Sequence, residues 1–545
     1  MSARSFAWLF EAESIQSYIH DSGRLRDAVG ASQIVDLLCG SLASPADGKD
    51  LLSRVLAAAK VKLAEVQFSR RGGGAFIAFF GDQGQRERVR DLWSLTIGEF
   101  APGLAWLDAI ADGDDPLAAA VKGMDALKQA RLFRAADPLE AGPWVARSAR
   151  TGGLLVPASH GQALHDAATL AKRSEGVGGG SVSMHFQAPE QARWPLKLSA
   201  DEDDEKSDPV FPFLDEQHEL AFVHADGNGL GAALHALANA SQKHRGRYIE
   251  LYSGFSRAVT CATQEAAAMA AKASLYAHVS DNAMVPARPL VLGGDDLGMI
   301  LRPDVAVAFV EAYLHAFEDR TAHHLGRLHD DLGAAVAELP RRLTAACGMV
   351  IVGASYPFAQ AAAMAEALCG LAKVAIKQEA KQAHRDVPLS ALLFLRQTSA
   401  LPLDDDDPLA ATRAKWGEQA LVSAAGPYVL AESAQPAPMG LADMRQLRAL
   451  SAALGASGLA RGPLRTILRL MHEDPTQAAT AWRNAMRAAS RRDPLAQALQ
   501  AFLAALKPFG IDADADLPFS PANALGERIS PLADAMLLAD LESSR

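Results

Sequence analysis

The sequence predicts an α+β protein built from two ferredoxin-like units of βαββαβ order, followed by a C-terminal helical domain. Two series of strand-forming and helix-forming segments, in the same order, predict the two units. Amphipathic segments beyond residue 440 predict the helical part. We place the domains at residues 1–145 (first unit), 146–215 (connecting region), 216–400 (second unit) and 401–545 (helical domain).

The first unit has a glycine-rich connection, SRRGGG at 69–74, between two apolar runs. Glycine reaches the positive φ values that tight turns need, so this pattern predicts a β-hairpin. The remaining apolar runs and helical periodicities complete the order. We predict strand 6–10, helix 24–42, strands 66–68 and 75–80, helix 86–100 and strand 104–111.

The connecting region breaks the periodicity with glycine-rich stretches and the acidic cluster Asp201 to Glu205. It predicts one helix over 160–173 and then a partly disordered loop. A second linker is predicted at the acidic run Asp404 to Asp407. Between them the second unit repeats the first order. We predict strand 219–225, helix 247–271, strands 289–292 and 297–301, helix 305–321, strand 344–352 and helix 358–378.

Composition limits the class of protein. The chain has 545 residues, of which 49% are hydrophobic and 21% charged, an ordinary globular balance. The formal net charge of −11 argues against a general electrostatic grip on nucleic acid. The four cysteines are far apart, which excludes a disulfide scaffold. No signal peptide and no 18-residue apolar run is evident, so we expect a cytoplasmic protein that does not contact a membrane.

The first informative motif is AFVHADGNGLG, at the start of the second unit. An apolar strand ends at Asp226 and passes directly into Gly227, Asn228 and Gly229. Glycines beside an acid let the backbone approach a phosphate closely and offer N–H donors. We therefore regard these three residues as candidate nucleotide contacts.

The second motif is VLGGDDLGMIL, about 70 residues further on. Gly293, Gly294, Asp295 and Asp296 occupy the predicted turn between two strands. If these strands lie beside the first one, three carboxylates, including that of Asp226, meet at one edge of the sheet. Gly and Asp are also the commonest turn residues, so a plain β-turn is the alternative interpretation.

Clustered carboxylates repel one another and raise their own pKa values, and a divalent cation removes that repulsion. Mg²⁺, or Mn²⁺ in its place, takes hard oxygen ligands and completes its shell with water and phosphate. Two such ions can activate an attacking hydroxyl and stabilise a leaving pyrophosphate. Lys373 and Lys377, one turn apart on the last predicted helix, are candidates for neutralising phosphates, although two lysines on a helix are commonly just solvated.

The motifs resemble the large polymerase-cyclase subunit of type III CRISPR effector complexes, which carries two palm domains. DGNGLG at 226–231, LGGDDLGMIL at 292–301 and the segment 344–377 are similar to its second, catalytic palm. The segments 10–38 and 70–80 are similar to its first palm. We use "first palm" and "second palm" for the two units from here on.

The resemblance implies that ATP molecules are joined by 3′ to 5′ linkages into cyclic oligoadenylates. It implies that Asp226, Asp295 and Asp296 are catalytic metal ligands, and that Gly227 contributes a carbonyl to the metal or an N–H to phosphate. It also implies that Ser256 approaches the base. In the first palm the acidic pair is replaced, with GGGA at 72–75 where the second palm has GGDD, so we predict one metal site per chain and a first palm that walls the nucleotide pocket.

The sequence differs from the family's usual pattern in two features. Family members often begin with an HD nuclease domain, and the first strand here is predicted from residue 6, so we expect no such domain. The cysteine pairs of the family's zinc-binding insertion are also missing. A stand-alone relative with another trigger therefore remains an alternative.

The leading hypothesis is a Mg²⁺-dependent nucleotidyltransferase that makes a linear or cyclic oligoadenylate second messenger from ATP in antiviral defence. One alternative is a mononucleotide or dinucleotide cyclase. Another is a non-catalytic scaffold that binds RNA, CRISPR-type effector subunits or another regulatory protein, with an oligomer also open. RNA contact is favoured only by short basic stretches: Lys243, His244, Arg245, Arg247, Arg341 with Arg342, and Arg491 with Arg492.

Overall fold

The structure is a computed structural model. It describes residues 4–43, 48–132, 144–156, 165–176, 180, 182–199, 208–280, 283–398, 407–430, 441–457, 459–491, 496–523 and 526–543. The acidic cluster at 201–205, the first five residues of the helix predicted at 160–173, residues 404–406 of the second linker and Arg492 lie outside these ranges. The strands of the described part form sheets of four, seven and three strands.

The first palm is a four-stranded antiparallel sheet in the order β2-β3-β1-β4, as the βαββαβ pattern predicts. Trp93, from the helix before the last strand, packs on this sheet with its ring centroid 4.8 Å from that of Phe10. The elements are β1 (Ser5–Glu13), α1 (Ile15–His20), α2 (Leu25–Cys39), α3 (Leu51–Ala58), β2 (Gln67–Gly72), β3 (Ala75–Phe80), α4 (Gln83–Phe100), β4 (Ala105–Gly113) and α5 (Pro116–Leu132).

The hairpin of the first palm corrects one sequence prediction. Arg70 and Arg71 belong to β2, and the turn is Gly73 and Gly74 alone, with φ values of 59° and 74°. Backbone pairing of Gly72 with Ala75 extends the strand to the turn, because only two residues with positive φ are needed there. Helices α1, α3 and α5 were not predicted; α1 and α3 are short, and α5 is rich in alanine with weak periodicity.

The connecting region packs against the first palm and is not a loose linker between two domains. Its helix α6 (Ala167–Gly176) lies on α2, and a Cβ on Gly30 would come within 1.6 Å of the Lys172 carbonyl oxygen. The buried Lys172 ammonium donates to the Tyr18 carbonyl and pairs with Asp21, each at 2.7 Å. Small residues on both helices, Gly30 and Gly176 among them, permit this contact. The order of residues in the sequence does not show which helices pack together.

The second palm has the same strand order, β6-β7-β5-β8, inside a sheet of seven strands. The added strand β9 runs parallel to β8 and continues the sheet towards the C-terminal part. The elements are β5 (Glu219–Asn228), α7 (Leu230–Lys243), α8 (Tyr248–Ser274), β6 (Ala287–Gly293), β7 (Asp296–Leu301), α9 (Pro303–Leu332), β8 (Thr344–Gly353), α10 (Phe358–Gln382) and β9 (Ala391–Arg396).

The C-terminal part is helical, as predicted, and it also contains short strands that the sequence did not predict. Two of them, β12 and β13, complete the seven-stranded sheet, so the boundary at residue 400 falls within one continuous layer. Strands of two residues have no readable period. The elements are β10 (Arg413–Trp416), β11 (Gln419–Val422), β12 (Tyr428–Val429), β13 (Ala442–Asp443), α11 (Met444–Ala456), α12 (Arg461–Glu473), α13 (Pro475–Ser490), α14 (Ala496–Leu506), β14 (Glu527–Ile529) and α15 (Leu532–Ser543).

The two palms face each other with reciprocal contacts. Helix α2 of the first palm reaches β6 of the second, where the Ser32 hydroxyl donates to the Leu290 carbonyl. Helix α8 of the second palm reaches β2 of the first, where the hydroxyls of Tyr248 and Ser69 are 3.5 Å apart. This pseudo-symmetric arrangement brings the two hairpin turns together in the middle.

Of the helices in the described ranges, only α10 has the length and apolar composition of a membrane-spanning helix. Its buried side chains, among them Leu368 and Ala372, face the sheet of the second palm. A helix that covers a sheet meets the same criteria of length and composition as a membrane span.

Candidate metal and nucleotide site

Strands β5 and β7 bring the acidic residues of both motifs together. Residues two apart on a strand share a face, so His224 and Asp226 project from the same side of β5. The register that pairs Ala225 with Leu297 sets Asp296, the first residue of β7, beside Asp226. One ligand atom from each of His224, Asp226 and Asp296 lies within 4.8 Å of the others. The predicted convergence of the two motifs is therefore present.

Glycines make room for the third carboxylate. A Cβ on Gly227 would lie 2.8 Å from Asp295 Oδ2, so only glycine permits this approach. Gly294 has a φ of 61° at the turn, and its carbonyl accepts a hydrogen bond from the Thr263 hydroxyl at 2.7 Å. This hydrogen bond attaches the turn to α8. Gly293 ends β6, and its own Cβ position would be 3.5 Å from the Cα atom of Gly73 in the other palm.

Lys373 places a cation beside these acids. Its ammonium contacts the Asp226 carboxylate and donates to the Gly227 carbonyl at 2.9 Å. These are the oxygens predicted to hold a metal, and an ammonium group acts here as a stand-in cation. Lys373, and not the exposed Lys377 one turn further on, is the lysine that contacts Asp226.

Asp295 and Asp296 have strongly raised pKa values in the absence of a metal. Burial is the largest cause for both; it raises the pKa of Asp295 to about 7, with the Asp226 charge adding to it. The pKa of Asp296 rises to about 8, through burial and then the charges of Asp295 and Asp226. Burial also lowers the pKa of His224, while the charges of Glu366 and Asp226 oppose that shift. Half-buried carboxylates with a carbonyl beside them are a donor set that fits Mg²⁺ or Mn²⁺.

A cavity of about 1100 Å³ opens in front of the acids and is lined by both palms. Gly293, Gly294, Asp295 and Asp296 line it from the second palm, and residues of the first palm complete the lining. Ser256 lines the cavity from α8, one and two turns before Thr260 and Gln264. The first palm contributes cations, Arg70 and Lys49 among them.

Two predicted nucleotide contacts, Asn228 and Gly229, lie where β5 ends and the chain passes into α7. The buried Asn228 side chain donates to the Thr344 hydroxyl at 3.0 Å and ties the end of β5 to β8. Gly229, with a φ of 81°, precedes the first residue of α7. Sequence reasoning missed His224, Thr263 and Glu366. The alternation of β5 around Asp226 marks His224, whereas the positions of the other two depend on helix packing.

The first palm has no equivalent acidic group in the described residues, where the only cluster able to hold a metal is that of His224, Asp226 and Asp296. Gly74 and Ala75 stand at the positions of Asp295 and Asp296. Ala75 pairs with Glu11, which corresponds to Asp226, and Glu11 forms an ion pair with Arg131 of α5.

The basic residues that favoured RNA contact are mostly engaged within the chain. Ion pairs are formed by four of them: Lys243 with Glu338, Arg245 with Asp115, Arg247 with Glu250, and Arg342 with Glu318. Paired cations contribute less to an electrostatic grip on phosphates.

Comparison with known proteins identifies the domain that carries this site. Residues 219–385 match the family model of the Cas10/Cmr2 second palm domain. This segment is similar to a Cas10/Cmr2 second palm domain. The match spans Asp226, both aspartates of the hairpin and Lys373, and it confirms the resemblance found in the sequence. No curated protein matches the chain.

Solved structures similar to the Cas10-like chain include three of Csm1–Csm4 assemblies. A Csm1–Csm4 cassette in complex with cA4 aligns with a TM-score of 0.41 and 14% identity, over 74% of this chain and 55% of the other. The cassette in complex with pppApA aligns with a TM-score of 0.44 and 12% identity, over 99% and 70%. The subcomplex of the type III-A CRISPR-Csm interference complex has a TM-score of 0.41 and 13% identity, over 74% and 56%. This chain therefore spans about 55% of the length of the first relative.

Proposed function

We propose that this Cas10-like protein is a metal-dependent nucleotidyltransferase that joins ATP molecules into linear or cyclic oligoadenylate. In this proposal it acts in the cytoplasm as a signalling subunit of antiviral defence, alone or with CRISPR-type effector subunits. One observation carries the proposal: the Asp226 carboxylate lies close to that of Asp296, and Asp296 lines a cavity to which both palms contribute.

The residues divide the work between metal and nucleotide. Asp226, Asp295 and Asp296 hold the cation, with the Gly227 carbonyl as a further oxygen ligand. A bound Mg²⁺ or Mn²⁺ would lower the pKa of an attacking 3′-hydroxyl and offset charge on the α-phosphate. Lys373 is placed to exchange its contact with Asp226 for a phosphate oxygen when the cation enters.

The cavity supplies the space and the walls for two nucleotides. Its volume of about 1100 Å³ is slightly above the usual range of about 300–1,000 Å³ for ligand pockets. Ser256, Thr260 and Gln264 present uncharged hydrogen-bonding groups to a base, and Arg70 presents a positive charge to phosphates from the opposite palm. Joining two ATP molecules requires both to be held at once, which agrees with a cavity of this size.

The test compares the double variant Asp295→Ala/Asp296→Ala with the wild type, each incubated with ATP and Mg²⁺ or Mn²⁺. Mass spectrometry of the products separates oligoadenylates from cyclic mononucleotides or dinucleotides. The matched control is Asp330→Ala/Asp331→Ala, an adjacent acidic pair exposed on α9. We expect product from the wild type and the control, and none from the site variant. Undiminished synthesis by the site variant would exclude the proposal.

A further inference from the structure

We propose that His224 is a ligand of the metal bound by Asp226 and Asp296, and that this nitrogen ligand shifts the site's preference from Mg²⁺ towards Mn²⁺ and Co²⁺. The inference deepens the proposed function and rests on its metal site. It concerns a residue that lies outside both the DGNGLG segment at 226–231 and the GGDD turn at 293–296.

Strand geometry places His224 in the site. It precedes Asp226 by two residues on β5, so the two side chains share a face. Its partners in the neighbouring strands are Gly298 on β7 and Gly348 on β8. Neither partner carries a side chain beside the imidazole, and a ring nitrogen of His224 lies within 4.8 Å of carboxylate oxygens of Asp226 and Asp296.

The donor atoms are close enough to share one ion. A nitrogen of His224 and carboxylate oxygens of Asp226 and Asp296 all lie within 4.8 Å of one another. Two ligands of an ion at bond lengths of about 2.0–2.2 Å are separated by at most about twice that length. A small movement of the side chains is therefore enough to close the three groups around a single cation.

A carboxylate stands where it can orient the imidazole. The charge of Glu366, on α10, acts on His224, and Glu366 lines the same cavity. Ligating histidines usually direct their second ring nitrogen to a carboxylate, a carbonyl or water. Lys373 lies about two turns further along the same helix, so α10 contributes to the site at two positions.

The chemical consequence concerns metal choice. Mg²⁺ favours an all-oxygen shell, while imidazole suits first-row transition ions, whose affinity rises from Mn²⁺ towards Cu²⁺. A site with one nitrogen and two carboxylate ligands therefore discriminates more strongly for Mn²⁺ and Co²⁺ than a site with carboxylates alone.

The first experiment detects the nitrogen directly. Mn²⁺ is added to the full-length protein, and pulsed electron paramagnetic resonance is used to look for ¹⁴N coupling to the ion. The matched control is His185→Asn, because His185 also lines the cavity. We expect coupling in the wild type and in the control, and its loss in His224→Asn. Absence of coupling in the wild type, or its persistence in His224→Asn, would overturn the inference.

Isotope labelling of histidine allows the resonance experiment to decide the question even if His224→Asn does not fold. Wild-type protein grown with ¹⁵N-histidine replaces the ¹⁴N signal by a ¹⁵N signal if the ligand is a histidine. His185→Asn in the same labelled protein then removes the histidine that lines the cavity in the described part of the chain. An unchanged ¹⁴N signal in the labelled protein would assign the nitrogen to a group other than histidine and contradict a histidine ligand.

The second experiment measures selectivity by calorimetry with Mn²⁺ and with Mg²⁺ alone. We expect the ratio of the two affinities to fall about tenfold or more in His224→Asn, while Asp296→Asn weakens the binding of both ions. An unchanged ratio would overturn the inference. The outcome is independent of catalysis: a nitrogen signal without product would contradict the proposed function and leave the ligand assignment standing.

Discussion

Gly348 and Ala365 are in direct backbone contact: a Cβ on Gly348 would lie 2.0 Å from the Ala365 carbonyl oxygen and 2.4 Å from the Cys369 amide nitrogen. Helix α10 therefore rests on β8 at its closest possible distance. This approach brings Lys373, one turn beyond Cys369, to Asp226 on the adjacent strand. Gly348 therefore helps to position Lys373 in the candidate site.

Gly348→Ala should displace α10 and destabilise the protein. Inserting a methyl group into a packed contact typically costs about 1–3 kcal/mol, and an overlap with backbone atoms places this variant at the upper end. Denaturant unfolding measures the loss, and we also expect weaker contact of Lys373 with the acids.

The matched control is Gly353→Ala, at the end of the same strand, where no heavy atom lies within 4 Å of the Cβ position. We expect its stability to stay within about 0.5 kcal/mol of the wild type. Equal stability of the two variants would contradict the close-contact argument.

Part of this arrangement was accessible from the sequence because the acids, glycines and strands are contiguous in the chain. Asp295 and Asp296 flank a turn between two apolar runs, and Asp226 ends a third. Strand pairing alone brings such segments together. The role of Gly348 was not accessible, because its cause is a helix that begins ten residues later and returns across the sheet.

Lys373 should compete with the metal ion for Asp226. In Lys373→Met the ammonium no longer occupies the space beside the Asp226 carboxylate and the Gly227 carbonyl. We expect the affinity for Mn²⁺, measured by calorimetry without nucleotide, to rise about tenfold, or by about 1.4 kcal/mol. The cause is the loss of like-charge repulsion between ammonium and metal.

Lys377→Met is the control, since Lys377 is exposed and lies one turn from the contact. Its affinity for Mn²⁺ should equal that of the wild type. A decrease in affinity in Lys373→Met would show that the lysine supports the metal site rather than competing with it.

The acidic pair should make the stability of the metal-free protein fall as pH rises. Asp295 and Asp296 have folded-state pKa values of about 7 and about 8, against an ordinary value of 3.8. Above pH 4 the unfolded chain therefore binds fewer protons at these groups than the folded chain does. Their contribution to stability is complete below pH 4 and is lost as pH passes through 7 and 8.

Thermal unfolding between pH 5 and 9 checks this dependence. Asp295→Asn/Asp296→Asn should decline less with pH than the wild type, whereas Asp330→Asn/Asp331→Asn should keep the wild-type slope. Mn²⁺ should raise the unfolding temperature most at high pH, because the ion replaces the protons and binds only the folded site. Parallel curves for the wild type and the site variant would refute a shared buried charge at the hairpin.

Other features of the site depend on contacts that no local pattern encodes. Asn228 sits in a motif that suggests phosphate binding, yet its amide bonds to Thr344, a residue more than 100 positions away. Two of the contacts that join the palms are those of Ser32 with Leu290 and of Ser69 with Tyr248. Nothing in the local sequence around these residues indicates that they meet. Such positions follow from how complete sheets and helices pack, and only the folded chain displays them.

Substitutions of two consecutive arginines of β2, Arg70 and Arg71, should have different effects, one on nucleotide binding and the other on stability. Arg71 is buried and donates to the Asp50 carboxylate at 3.0 and 3.1 Å and to the Ser53 hydroxyl at 2.9 Å. Arg70 is exposed at the cavity wall. Arg71→Met leaves the buried Asp50 charge without its partner, so we expect a loss of about 3–5 kcal/mol in unfolding experiments. Arg70→Met should leave stability unchanged and weaken ATP binding about tenfold, because a charged group contributes about 1.5 kcal/mol or more to a hydrogen bond with phosphate.

Each arginine variant serves as the control for the other. Calorimetry with ATP and Mg²⁺ measures binding, and denaturant unfolding measures stability, on the same two preparations. A Gln substitution at Arg70 keeps a hydrogen-bond donor without the charge and should restore only part of the affinity. If Arg70→Met bound ATP as tightly as the wild type, the first palm would not contact the phosphates, and its wall of the cavity would serve the base or the sugar instead.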